Sequence, residues 1–218
     1  MALQQFVGPW CASHGVGASS AVTAVEEEGG FRRVVAARDV EPGEVLLSVP
    51  FSACLTARNG ALAAALGGPE ALEAALEEAA LVVAVMYERA LGAGSRWAGY
   101  LAAVPTREPL PHTWDTRDLL MLEGTELEER VQLDRLIVSE DYESGVVPFV
   151  EEHMGALPAF RRSRDAWSER AFLDAATVVA SRAFHVSGEH GQGLVPWADL
   201  YNHRTGREHV NLVGGGAG

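Results

Sequence analysis

The sequence has no lysine: all 17 basic residues are arginine, against 30 acidic ones, for a formal charge of −13. A field of that sign repels phosphate, so nucleic acid and anionic membrane surfaces are disfavoured as partners and basic peptide segments are attracted. The missing lysine, beside an excess of alanine, is what a GC-rich coding bias produces. It also leaves the chain no lysine on which to modify itself. Cysteine is scarce too. Cys11 and Cys54 are too few for a disulfide scaffold or a cysteine-based zinc site, and they suit a reducing compartment. The longest apolar run, Ala79 to Tyr87, is far shorter than the roughly 20 residues that cross a bilayer. The opening MALQQFVGPW lacks both the basic and the apolar region of a secretory signal. A soluble intracellular protein is expected, with its compartment open between cytoplasm, nucleus and plastid. What is present is ordinary apolar content, 48% of residues, in a length of 218 that suits one large domain or one domain carrying an insertion.

From Ala21 to Pro50 the β-prone pieces Val22 to Val25, Val34 to Ala36 and Val45 to Val49 alternate with the turns Gly29-Gly30 and Glu41-Pro42-Gly43. After Asn59-Gly60 the pattern turns helical. Leu72, Leu76, Ala79, Val83 and Tyr87 fall on one helical face, and a short helix carries Trp97, Tyr100 and Leu101. Pro105 to Pro111 interrupts the run. Thr125 and Glu128 have the spacing of a capping box, opening a helix with apolar members Leu127, Val131, Leu133, Leu136 and Ile137. Ser168 is the expected N-cap of a helix in which Phe172, Ala176, Val179 and Ala183 share a face. An extended piece, Gly193 to Pro196, and a compact turn, Trp197 to His203, follow. No repeat of 20–50 residues and no long βαβ alternation is visible. The order of strands, helical block and short strands predicts a small β-fold interrupted by a helical insertion.

Two segments carry candidate chemistry. In Val195-Pro196-Trp197-Ala198-Asp199-Leu200-Tyr201-Asn202-His203, polar groups cluster in an apolar setting, where each must be hydrogen-bonded or cost about 1–3 kcal/mol. Such a cluster either organises the backbone or meets a polar ligand. In Ser181-Arg182-Ala183-Phe184, an arginine ends a helix, where it can neutralise the helix dipole or bind a carboxylate bidentately.

Taken in order, Glu28-Gly29-Gly30, Ala37-Arg38-Asp39-Val40, Gly43 to Pro50, Trp97 to Leu101, Leu122 to Thr125, Ser181 to Phe184 and Val195 to His203 resemble the SET-domain protein methyltransferases related to the Rubisco large-subunit lysine methyltransferase, a branch that includes protein-histidine methyltransferases. The resemblance runs from about Trp10 to about Leu212. It implies an α+β fold: the small curved β-sheets (β-clip) of the SET domain, interrupted by a mainly helical insertion. The implied division is 1–59 for the first half of the core, 60–168 for the insertion and 169–218 for the second part. It also implies S-adenosylmethionine as cofactor and a protein substrate offering a lysine or histidine side chain. Cofactor contacts would fall to Gly30 and Arg32 through the turn, to Arg182 beside the methionine carboxylate, and to Asn202 and His203 in the threaded segment. Asp199 would face or brace the substrate channel. Phe31 and Arg33 stand where the family usually has the glycines of a Gly-x-Gly. In the family the Gly-Glu strand, the active-site tyrosine and a helical substrate-docking domain lie downstream of Asn-His. No catalytic residue is therefore expected within these 218 residues, and the chain by itself is expected to transfer little or no methyl.

Two rivals belong to other classes. One is a non-catalytic SET-like binding protein. The other is a metal-dependent hydrolase using His185, His190, Asp199, His203 and His209, whose spacings lack a helical His-x-x-x-His pair or a His-x-His strand pair. His185 and His190 read as solvated loop residues, and Trp97, Trp114, Trp167 and Trp197 as core anchors rather than a methyl-lysine cage.

Overall fold

The computed structural model describes residues 4–27, 32–161 and 163–214. Contacts divide the chain into two compact units. One joins Met1–Leu55 with Ala183–Gly218, and the other is Thr56–Arg182.

The first unit begins with helix α1 (Gln4–Ser13) and is otherwise built of short antiparallel strands. Strand β1 (Gly17–Ala18) pairs with β4 (Leu47–Ser48), and β2 (Val22–Glu26) pairs with β3 (Arg32–Ala36) from Val22↔Ala36 to Glu26↔Arg32. A third sheet has the order β5 (Leu55–Thr56), β7 (Gly191–Leu194), β6 (Ala183–Ser187). The alternation that marks β2 as a one-sided strand is real: Val22 and Ala24 are buried while Thr23 and Val25 are not. Cys54, Val186, Val195 and Ala198 form a small core, with Leu47, Val49, Phe51 and Phe184 packed on it. Residues 22–50 and 193–194 therefore share a unit although they are far apart in sequence. Regular pairing ends at Leu194, and residues 202–214 are exposed and outside any strand.

The second unit is helical: α2 (Ala61–Ala65), α3 (Pro69–Leu76), α4 (Ala80–Leu91), α5 (Ala98–Leu101), α6 (Thr116–Leu119), α7 (Glu126–Asp141), α8 (Val147–His153) and α9 (Glu169–Arg182). Every residue of α4 from Ala80 to Glu88 is buried, as a helix apolar all round requires. The expected face Leu72-Leu76-Ala79-Val83-Tyr87 is buried at all five positions, but the helix is split at Glu77, whose φ of 44° breaks the α-helical path. Tyr87, Phe160 and Trp167 pack edge to face or tilted beside α4. Glu88, 1% exposed, is held in this core by polar contacts. Its Oε1 accepts from Ala61 N (2.6 Å) at the start of α2, and its Oε2 accepts from Ser95 Oγ (2.5 Å). Ser95 Oγ in turn accepts from Trp97 N at 3.0 Å.

Several expectations need correction. Thr125 gives α7 no side-chain cap. Its hydroxyl donates to Leu122 O, and Glu128 accepts from Gly124 N rather than from Thr125 N, so neither half of the box forms. Of the five apolar residues assigned to α7, only Val131 is buried. At about 100° per residue, Leu127 and Val131 lie on one side of the helix and Leu133, Leu136 and Ile137 on the other. The α9 face is Phe172-Ala175-Val178 rather than Phe172-Ala176-Val179, and Ala183 already belongs to β6. Ser168 does cap α9, accepting from Ala171 N at 3.3 Å. By compactness α9 groups with the other helices in the unit Thr56–Arg182. Trp97, Trp167 and Trp197 are buried, and Trp114 is half-buried with Nε1 on Pro109 O.

Candidate functional site

In the sheet unit, the chain leaves β7 through Val195 and Pro196 into a tight turn. Trp197 is buried and takes φ 74°, ψ −39°, a left-handed conformation that costs a bulky residue about 1–3 kcal/mol. That reversal allows the single turn Ala198–Leu200 to form, with Asp199 N donating to Val195 O and Leu200 N to Trp197 O, each at 3.2 Å. Ala198 and Leu200 face the core, and the turn lies against β3. Asp199 is half-buried beside Cys11. Burial pushes the Cys11 thiol up to about 11, and the Asp199 carboxylate adds to that rise.

Beyond the turn, Tyr201 lays its ring in a half-buried position with its hydroxyl oxygen shut away from solvent, and that oxygen has no hydrogen-bond partner among the described residues. Burial raises the phenol above its ordinary range. Next, Asn202 donates from Nδ2 to the backbone carbonyl of Arg32 at 3.4 Å, tying the segment to β3. His203 Nε2 meets Thr205 Oγ1 at 3.1 Å. The expected apolar setting therefore holds at Asp199 and Tyr201 but not at Asn202 and His203. Both of those are exposed, because the chain leaves the core after Leu200.

Arg32 and Asn202 are thus brought together, on a unit that also holds Asp199 and His203. The Arg32 side chain turns to Glu26 across the β2–β3 hairpin, leaving its backbone carbonyl to Asn202. Gly30 and the Gly29-Gly30 turn lie outside the described residues. Arg182 ends α9 in the helical unit, where its Nε meets Glu108 Oε1 at 2.5 Å, with both side chains largely buried. Glu108 is pinned to α9 a second time, its backbone N donating to Thr177 Oγ1 at 3.1 Å.

His190 was expected to be solvated but stacks on Phe51, with centroids 4.6 Å apart, and meets Ser187 Oγ through Nδ1. His185 is an exposed residue of β6. Among the described residues, no three His, Cys, Asp or Glu side chains converge as a metal ion requires. The buried tyrosine hydroxyl and the left-handed tryptophan were missed from sequence, since neither leaves a periodic signal. No helix among the described residues is long and apolar enough to cross a membrane.

No protein-family model matches the chain. The fold is that of a SET domain: the structure superposes on the SET domain of LSMT bound to methyl-lysine and AdoHcy with a TM-score of 0.74 at 21% identity, over 94% of this chain and 46% of that one. The structure of Rubisco LSMT bound to sinefungin and monomethyllysine matches with a TM-score of 0.73, at 21% identity, over 95% of this chain and 46% of that one. In sequence, the chain is 29% identical over 182 residues to the N-lysine methyltransferase SETD6 of Rattus norvegicus, covering 78% of this chain and 37% of the relative. The chain spans less than half the length of the proteins it matches. The small antiparallel sheets interrupted by a helical unit are thus the SET architecture the sequence was expected to have.

Proposed function

We propose that this protein is an S-adenosylmethionine-dependent protein-lysine N-methyltransferase of the SET class. The observation that carries the reading is the superposition of 94–95% of the chain on SET structures bound to AdoHcy, sinefungin and methylated lysine. The similarity to SETD6 N-lysine methyltransferases runs in the same direction. On this reading the sheet unit is the SET core and the helical unit the insertion within it.

The cofactor would be held by Gly30 and the Arg32 backbone, and by Asn202 and His203 in the threaded segment. Asp199 would brace the substrate channel. The segment suits such a group: it offers the polar edges of Asn202 and His203 at the surface, and next to them in sequence a buried phenol hydroxyl with no partner among the described residues. The cofactor supplies an electrophilic methyl on a sulfonium. The Asn202–Arg32 bond fixes the distance between the hairpin and the threaded segment, so the wall is set before ligand arrives. A free lysine has a pKa of about 10.4, so a narrow apolar channel helps by favouring its neutral, nucleophilic form. The acidic surface, at a formal −13, draws basic protein segments toward it.

Calorimetry with S-adenosylhomocysteine tests cofactor binding, and incubation with radiolabelled S-adenosylmethionine and basic proteins tests transfer. The chain has no lysine of its own, so label on lysine must lie in an added protein. Binding with transfer supports the enzyme, and no binding removes the reading.

A further inference from the structure

We propose that Tyr201 is a ligand-contacting residue of the SET site, its hydroxyl left without a partner among the described residues so that it can donate a hydrogen bond to a bound adenosyl ligand. The inference rests on the cofactor reading above and adds a residue which that reading does not use.

A buried hydroxyl left unbonded costs about 1–3 kcal/mol, so proteins rarely leave one. This chain shows how it satisfies a half-buried phenol elsewhere: Tyr142 Oη donates to Trp167 O at 2.8 Å. Tyr201 is different. Its ring is half-buried, its Oη is closed off from solvent, and no described residue bonds it. Burial raises its pKa. The hydroxyl therefore stays protonated at neutral pH and is a donor. Its position also matters. It directly precedes Asn202, which is tied to β3, and it follows the turn held by the left-handed Trp197, so the backbone on either side is fixed. A rigid, protonated donor beside the segment assigned to the cofactor suits an acceptor atom of a nucleoside or amino-acid group. It would stabilise the bound state at the expense of the free one.

The test is Tyr201→Phe, which deletes one oxygen and keeps the ring. Two quantities are measured: the urea midpoint of the ligand-free protein and the S-adenosylhomocysteine affinity by calorimetry. The expected pattern has opposite signs, an unchanged or raised midpoint with affinity reduced about 5- to 50-fold. A lowered midpoint in the free protein would mean that the hydroxyl already serves the fold, and the proposal fails. Wild-type protein that binds S-adenosylhomocysteine while Tyr201→Phe binds within twofold also overturns it, leaving the cofactor reading intact. Wild-type protein that does not bind the ligand overturns both. Tyr201→Leu is a second variant that keeps apolar bulk without the hydroxyl, and it should lose affinity likewise.

Discussion

Asn202 and Arg32 lie 170 positions apart in the chain and meet at 3.4 Å, the asparagine amide donating to the arginine's backbone carbonyl. The bond closes the segment that follows Leu200 onto β3. It is long and exposed, so its worth to the fold is small; its worth to a site is positional. Asn202→Ala is expected to change stability by less than about 0.5 kcal/mol, as surface changes do. The same variant should weaken S-adenosylhomocysteine about tenfold or more, which is about 1.4 kcal/mol. Denaturation and calorimetry on one preparation separate the two effects. Equal affinity in the variant would remove Asn202 from the site.

The buried Glu88 carboxylate gives a stability prediction in the helical unit. It is the acceptor for the first turn of α2, whose N-cap, Gly60, offers no side chain, and for the Ser95 hydroxyl. Glu88→Ala leaves Ala61 N–H and the serine hydroxyl without that acceptor and opens space in the core. A loss of about 2–4 kcal/mol is expected in urea unfolding. Glu88→Gln should cost less, about 1 kcal/mol. Its one oxygen can keep Ala61 N, and its amide can donate to the second lone pair of Ser95 Oγ. If the glutamine variant were as unstable as the alanine, the charge rather than the hydrogen bonds would be what the core requires.

Much of this architecture was legible from residues alone. β2, β3 and β4 stand out because β-branched runs are separated by glycine-bearing turns, and Ser168 marks the start of α9 by its own chemistry. β6 was not legible, since it follows α9 at Ala183 with no intervening turn residue and carries the exposed His185. The α7 misreading has a similar origin: leucines at 127, 133 and 136 suggest a packed stripe until their angular positions are separated, and Leu133 and Leu136 then point away from Val131. In the site, the motif around Asp199 and Asn202 could be found by resemblance, but nothing in its spacing says that its last two residues are exposed. The Arg32 contact depends on tertiary pairing and has no local signature.

The two thiols of the sheet unit predict how stability falls in alkali. Burial raises both Cys11 and Cys54 to about 11, from an ordinary value near 8.5 in an unfolded chain. The native state thus keeps its protons while the unfolded state loses them. The stabilisation is fully present below about pH 8.5 and is lost as pH rises through 11. In that window each thiol contributes a slope of up to about 1.4 kcal/mol per pH unit. Urea midpoints at pH 7.5 and 10 should therefore separate more for wild type than for Cys11→Ala or Cys54→Ala. Native protein should also resist thiol reagents at pH 8, since both side chains are buried and protonated. A pH dependence unchanged in both variants would contradict this account.

Trp197 offers the sharpest check on the turn that presents Asp199 and Tyr201. Its φ of 74° is unfavourable for any side chain with a Cβ, yet the residue is only 4% exposed and anchors the turn in the core. The two effects oppose each other and differ in size. Left-handed backbone costs roughly 1 kcal/mol or more in a non-glycine residue, while emptying a buried tryptophan site costs about 3–5 kcal/mol. Packing therefore wins, and both Trp197→Ala and Trp197→Gly should be clearly less stable than wild type. Their order is the informative part. Glycine ordinarily loses to alanine through its larger unfolded-state entropy, but here it alone escapes the backbone strain. Trp197→Gly should consequently be the more stable of the pair by about 0.5–1 kcal/mol in urea unfolding. If Trp197→Ala proved the more stable instead, the left-handed turn before Asp199 would not persist in solution, and the positions assigned to Asp199, Tyr201 and Asn202 would have to be redrawn.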